Sequence, residues 1–312
     1  MQTILGANGQ IADELAKELK RKYTSDIRLV SRKPVKINGT DLLFAADLMD
    51  AEKTDEAVKG SEIAYLTVGL PMDTKRLAVQ FPVIMRNVID ACKKRNTKLV
   101  FFDNTYMYPQ NDNPLTEESE FAPVGRKGEI RKLVASMLLE EMKLNQIEAV
   151  ICRAPEFYGP GKTHGITNNI IFENIKQCKK LKVFLKDNTL RTLIWTPDAS
   201  KAMALIGNTP DASNQTWHLP SDDNRLTYKQ IIDLASEIYG KKLKYSIMSK
   251  STLKLGAIFS KNLRELKELL PRYEHNNIFD SSKFKRRFPE FIITTYRQGI
   301  EQILNEQKTT NQ

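Results

Sequence analysis

A chain of 312 residues, 41% hydrophobic and 28% charged, is long enough for about two domains with a buried core, and its net charge of +10 leaves a basic surface. No apolar run approaches the roughly 18 residues of a membrane span, and no signal peptide is expected ahead of the first strand, so the sequence reads as non-membrane and cytoplasmic. The basic residues fall in short groups (Lys20–Lys22, Lys93–Arg95, Lys179–Lys182, Lys285–Arg287) without interleaved aromatics, which argues against nucleic acid and for a solvated surface that favours anionic ligands.

The first element carries the most information. Thr3–Leu5 reads as a short strand that enters the turn Gly6-Ala7-Asn8-Gly9-Gln10-Ile11-Ala12, and a helix follows over Asp13–Tyr23. Gly6 permits a sharp turn, Gly9 lets the backbone approach a pyrophosphate, and Ala12 takes the small position where helix and strand pack. The free N–H groups and positive dipole end of the helix then face the phosphates.

Strands follow at Ile27–Val30, Leu42–Ala46, Ile63–Val68, Leu99–Phe102 and Ala149–Cys152, separated by helices at Asp50–Lys59, Val83–Arg95 and Lys127–Leu144. This alternation predicts an α/β protein with a doubly wound, parallel, Rossmann-type sheet that binds its ligand at the carboxyl ends of the strands. Beyond Pro155 the rhythm is irregular, with a helix near Asn169–Lys180, a strand at Leu193–Trp195, a helix at Pro197–Ile206 and a strand around His218. The expected division is a dinucleotide-binding domain over 1–155, rejoined by 193–220, and a smaller C-terminal substrate domain over 156–192 and 221–306. A polar, frayed tail over 307–312 ends the chain.

The end of the second strand selects between dinucleotides. A carboxylate there receives the adenosine 2′-hydroxyl, whereas a cation accommodates a 2′-phosphate. The segment Leu29-Val30-Ser31-Arg32-Lys33 has no carboxylate; Ser31 can donate to a phosphate and Arg32 can pair with it, so NADP(H) is expected over NAD(H). Three isolated cysteines (Cys92, Cys152, Cys178) have no metal-ligand spacing and are read as reduced thiols, and no metal site is expected.

The ordered motifs resemble the extended short-chain dehydrogenase/reductase superfamily, in its NAD-dependent epimerase/dehydratase group, over nearly the whole chain. The matching segments are Gly6-x-x-Gly9-x-x-Ala12, Ala46-Asp47-Leu48, Val68-Gly69-Leu70, Asp103 to Tyr108, Leu115 to Glu118, Arg153 to Gly161, and Trp195 to Ala199. The resemblance implies that Asp47, beside Leu48, meets the adenine, that Val68, Gly69 and Leu70 pass the cofactor, and that Pro155 and Phe157 lie near the nicotinamide. It also implies a small substrate domain closing over that ring, and a possible homodimer through the helices Val83–Arg95 and Lys127–Leu144.

The family's chemistry is carried by a Tyr, a Lys four residues later and a Ser or Thr after the fifth strand. Aligned on Pro123 and Gly128, this chain has Lys127 in the Tyr position and Arg131 in the Lys position, with Asn104 and the adjacent Thr105 in the Ser/Thr position. Arg131 can hold the ribose, but it cannot be deprotonated. Lys127 is a candidate proton donor if its environment lowers its pKa, and Tyr106 or Tyr108 is the alternative source of a phenol. The histidines add little: His164 reads as surface, His218 as buried and His275 as a polar-loop residue. The expected function is an NADP(H)-dependent oxidoreductase, epimerase or dehydratase for a small polar, sugar-like or carbonyl substrate. The alternative is an inactive cofactor-binding sensor of the same fold.

Overall fold

The protein is described by a computed structural model covering residues 1–161 and 163–310. Its first half alternates strand and helix: β1 (Gln2–Leu5), α1 (Gln10–Lys22), β2 (Ile27–Ser31), β3 (Leu42–Ala45), α2 (Ala51–Val58), β4 (Ile63–Leu66), α3 (Thr74–Arg95), β5 (Lys98–Asp103), α4 (Gly125–Lys143) and β6 (Ala149–Arg153). The second half adds β7 (Glu156–Tyr158), a π-turn at Asn168–Phe172, α5 (Glu173–Lys176), β8 (Leu181–Phe184), β9 (Leu190–Arg191), β10 (Leu193–Trp195), α6 (Thr196–Gly207) and β11 (Gln215–His218). Then come β12 (Leu226–Thr227), α7 (Tyr228–Tyr239), β13 (Tyr245–Met248), α8 (Lys250–Phe259), α9 (Lys261–Leu266), a 3₁₀ segment at Lys267–Tyr273, α10 (Ser282–Arg287) and α11 (Tyr296–Thr310).

The central sheet has seven strands in the order β11-β6-β5-β4-β1-β2-β3, every pair parallel. This is the doubly wound arrangement, with the strand order reversing between β1 and β4. Continuous apolar runs such as Ile63–Leu66 suit strands that are covered on both faces. One apolar cluster joins α2, α3 and α4 to one face of the sheet, and a second joins α1 and α6 to the other. Hydrogen bonding ties α6 to α1 directly, since Ser200 Oγ donates to the Ile11 carbonyl at 3.0 Å. A third cluster is built from Tyr158, Phe172, Val183, Trp195, Tyr228, Tyr273, Tyr296 and their neighbours, away from the sheet.

Several boundaries differ from the sequence reading. The helix expected from Val83 starts at Thr74 and carries Pro82 inside it; the Asp73 side chain caps it by accepting the Arg76 N–H at 3.1 Å. The expected helix over Asn169–Lys180 is a π-turn followed by one α-turn ending at Lys176, with Cys178 at φ +52 leaving the helical path. The strand at Leu193–Trp195 pairs with β7 in a separate ribbon instead of entering the central sheet. Part of the segment expected to fray is helical, because α11 continues through Thr310; residues 311 and 312 lie outside the described residues. Among the described residues no helix is long and apolar enough to cross a membrane.

Candidate functional site

Because every strand of the sheet is parallel, the ends of β1, β2, β3, β4, β5 and β6 all open on one edge, and the loops singled out by the sequence meet there. Gly6 follows β1 with φ +104, a conformation that side chains rarely adopt. A Cβ at Gly6 would lie 2.7 Å from the Val68 backbone nitrogen, so the loops after β1 and β4 touch at the switch point. Gly9 differs in kind. It is exposed, its φ is −98, and a Cβ there would meet nothing nearer than the Gly6 carbonyl at 3.9 Å. The protein leaves that space open, and α1 starts at Gln10 with no side chain capping its end, so its first N–H groups remain available to an anion. A dinucleotide pyrophosphate fits this cradle.

Asn8, at φ +75, ties the cradle to the end of β2. Its Nδ2 donates to the Lys33 carbonyl at 2.6 Å and to Ser31 Oγ at 3.3 Å, and its Oδ1 accepts the Val35 N–H at 3.1 Å. Ser31 Oγ also accepts the Lys33 N–H at 3.3 Å, so in both contacts the hydroxyl accepts and its proton remains for a ligand. Arg32 and Lys33 are exposed beside it. Asp47 is exposed next to this edge and accepts the Met49 N–H at 3.0 Å. Of the remaining expected cofactor residues, Gly69 is exposed, Val68 and Leu70 are half-buried, and Gln10 Oε1 lies toward Gly161. Leu48 and Ile11 place their side chains in the apolar clusters.

On the other side of the switch point, Asp103 ends β5 fully buried between two cations. Arg131 Nη1 lies 3.5 Å from Asp103 Oδ1, and Arg153 Nε donates to Oδ2 at 3.3 Å. The Arg131 guanidinium also lies over the Phe81 ring, 4.2 Å from its centroid. Arg153 Nη1 donates to the Tyr108 hydroxyl at 2.6 Å, which contacts His218 Nε2 at 2.8 Å; His218 Nδ1 lies 2.7 Å from the Asp280 carbonyl. Burial, joined by the nearby Arg153 charge, pushes the His218 pKa down to about 3, so the ring is neutral.

Between those anchors runs the loop Asn104–Met107. Asn104 Oδ1 accepts the Tyr106 N–H at 3.0 Å, and Thr105 Oγ1 accepts from Arg272 Nη2 at 3.2 Å. The Arg272 guanidinium lies 5.4 Å from the Tyr106 ring centroid. Burial raises the Tyr106 pKa, while the Arg272 and Arg131 charges pull it back. A small pocket of about 20 Å³, room for about one water, is lined in part by Thr105, Tyr106, Arg272 and Asn276. Behind it Arg191 is fully buried, with Nη2 3.5 Å from Glu156 Oε2 and Nη1 donating to the Arg272 carbonyl at 2.8 Å. Glu156 also accepts from Thr167 Oγ1 at 2.6 Å and from the Tyr273 hydroxyl at 3.2 Å. Arg191 Nε and Arg272 Nε are buried without a hydrogen-bond partner. Pro155 is buried beside this group, and the Phe157 ring packs on Phe102 at 5.9 Å.

Lys127, the candidate proton donor beside the alternatives Tyr106 and Tyr108, is placed among acceptors of the protein itself. Its side chain is 1% exposed, and Nζ donates to Thr74 Oγ1 at 2.7 Å, the Glu265 carbonyl at 2.8 Å and Glu265 Oε2 at 2.7 Å. An ammonium has three protons to donate, and three acceptors already take them. Arg191, Arg272 and Glu265 were missed in the sequence, because single charged residues look like surface charges and nothing local marks their long-range contacts.

Fold and cradle together define a nucleotide-binding α/β protein of the doubly wound class. Residues 3–219 match the model of the NAD dependent epimerase/dehydratase family, and the chain belongs to that family. It is 23% identical to UDP-D-apiose/UDP-D-xylose synthase 2 of Arabidopsis thaliana over 199 residues, 51% of this chain and 51% of that protein. It is 24% identical to an uncharacterised protein of Sinorhizobium fredii over 205 residues, 63% of this chain and 56% of that one. The chain thus spans little more than half the length of these curated relatives. Among solved structures it is similar to UDP-glucuronic acid 4-epimerase of Bacillus cereus in complex with NAD, with TM-score 0.80, 14% identity and 100% coverage of both chains. It is equally similar to UDP-glucose 4-epimerase of Thermotoga maritima with UDP-glucose, with TM-score 0.81, 14% identity and 100% coverage of both. At these identities the likeness is one of fold.

Proposed function

We propose that this protein is an enzyme that acts on a sugar nucleotide by epimerisation, dehydration or a related oxidation–reduction, using a nicotinamide dinucleotide held in the Gly6–Gly9 cradle. One observation carries the reading: two buried guanidiniums, Arg191 paired with Glu156 and Arg272 lining a small pocket, each keep an Nε without a hydrogen-bond partner. Buried cations of this kind suit an anionic substrate group, and the sugar-nucleotide class supplies one as its diphosphate. The relative and the solved structures named above that are called after UDP-sugars support that class. The division into a dinucleotide-binding part and a substrate part is proposed on the separate third apolar cluster, which carries Arg272's neighbour Tyr273.

When bound, the nicotinamide supplies hydride transfer. This chain's residues would do the rest. Arg131 holds the ribose side and keeps positive charge near the ring. Tyr106, in the fields of Arg131 and Arg272, gives or takes the proton of a substrate hydroxyl, and Asn104 and Thr105 orient the loop that carries it. The test is incubation with UDP-glucose and UDP-glucuronic acid in the presence of NAD+ or NADP+, followed by chromatography and NMR of the sugars. A new sugar nucleotide supports an enzyme. Tight cofactor binding with no conversion across sugar, ketone and aldehyde panels overturns it in favour of a cofactor-binding sensor, a reading that the loss of the Tyr–Lys pair favours.

We further propose a preference for NADP(H), supported by Ser31 with its free proton and by the exposed Arg32 where a carboxylate would select NAD. Arg32→Ala is expected to weaken NADPH by about 1–3 kcal/mol, the scale of a lost charge-assisted hydrogen bond, and to leave NADH nearly unchanged. Fluorescence titration of both cofactors checks this, and tighter NADH binding by the parent protein sinks it. A homodimer through α3 and α4 is proposed on the exposed Val79, Val83 and Leu133 of those helices. Sedimentation should give twice the monomer mass, and a monomeric mass excludes the pairing.

A further inference from the structure

The segment Lys261–Tyr273 is fastened to the starts of α3 and α4. Lys261 Nζ lies 2.6 Å from Asp73 Oδ2, the cap of α3. Glu265 Oε2 accepts the N–H of Thr74 at 3.0 Å and its hydroxyl at 2.6 Å, and Glu268 Oε2 accepts the Lys127 N–H at 2.9 Å in the first turn of α4. Two carboxylates therefore sit on the positive ends of two adjacent helices, where negative charge is favoured. Lys127 is the buried cation between them, with Nζ 2.7 Å from Glu265 and 3.8 Å from Glu268. The fit is close enough that a Cβ at Gly125 would lie 2.9 Å from Glu268 Oε2.

The far end of the same segment is Arg272, held against Thr105 and over Tyr106. Arg191 holds the Arg272 carbonyl at 2.8 Å, and the other end of the segment is seated on Lys127. We propose that Lys127 is a positioning residue. By clamping Glu265 and Glu268 it seats residues 261–273 so that Arg272 stands at the pocket, and it thereby sets the affinity for the anionic part of the substrate without touching it. The inference rests on the sugar-nucleotide reading for the identity of that anion.

The test uses the full chain with saturating cofactor and UDP-glucose as the probe. Lys127→Met and Glu265→Gln should each weaken UDP-glucose binding about 10–100-fold in calorimetry, with cofactor affinity unchanged. The double variant should bind no more weakly than the worse single one, since both remove the same contact. Hydrogen exchange should speed up at residues 261–273 in each variant while β1 and β4 stay protected. Unchanged UDP-glucose affinity and unchanged exchange in a folded variant overturn the proposal. Equal losses of cofactor and UDP-glucose also overturn it, because they report general loosening. Should Lys127→Met not fold, the milder Glu265→Gln decides by the same readouts. If the parent protein does not bind UDP-glucose, the sugar-nucleotide reading fails, and exchange at residues 261–273 alone decides whether Lys127 is the clamp.

Discussion

Gly9→Val is expected to abolish dinucleotide binding, a loss beyond 100-fold, while the protein keeps its fold and melts near the parent temperature. The backbone at Gly9 is extended, with φ −98, and nothing lies within 3.9 Å of the position a Cβ would take, so the apoprotein has room for the branched side chain. That room is where a pyrophosphate would meet the first N–H groups of α1, so the valine displaces ligand instead of protein. Calorimetric titration beside a circular dichroism melt checks both halves. Gly6→Ala is the contrasting control: its Cβ would press on the Val68 backbone at 2.7 Å from a φ of +104, so stability falls along with binding. Retained binding in a folded Gly9→Val protein would mean that the loop is only a turn.

Tyr106→Phe should lower turnover on the order of 10²–10⁴-fold, the usual worth of a positioned acid–base group, with little change in substrate affinity. The phenol stands in the fields of Arg131 and Arg272, on a loop whose neighbours contact both. Burial raises its pKa and the two guanidiniums pull against that rise, so the group stays protonated at neutral pH and the arginines favour its charged form when it gives up the proton. A steady-state comparison of kcat and KM with the converted sugar nucleotide checks this. Full turnover in Tyr106→Phe would move the proton transfer elsewhere in the site.

The central fold was legible because its signals are local and repeated. The apolar runs of β1, β4 and β5, the glycine turn before α1 and the strand–helix alternation each follow from short-range chemistry, and their order leaves few topologies. Parallel strands likewise deliver Gly6, Ser31, Asp47, Val68 and Asn104, the residues expected at the cofactor and at the chemistry, to one side of the sheet. The contacts made by the C-terminal segment were not legible. Arg272 meets Thr105 across 167 residues, and Lys127 meets Glu265 across 138, and no spacing within either segment announces the contact. Aligning Lys127 with a family tyrosine gave it a chemical role, whereas the structure turns its Nζ toward Thr74 and Glu265. The start of α3 was misplaced because Pro82 looks like a helix opener; the Asp73 cap lies farther upstream.

Asp103 and Tyr108, the two ends of the loop that carries Tyr106, are each pinned by buried charges and share Arg153 as a common partner. A connection anchored so close to both ends has few conformations left to lose. The entropy of arranging Asn104, Thr105 and Tyr106 is therefore spent when the chain folds and not when a ligand arrives. Recognition at this loop should then resemble docking onto a rigid surface, with little heat-capacity change beyond that of the apolar area the ligand itself covers.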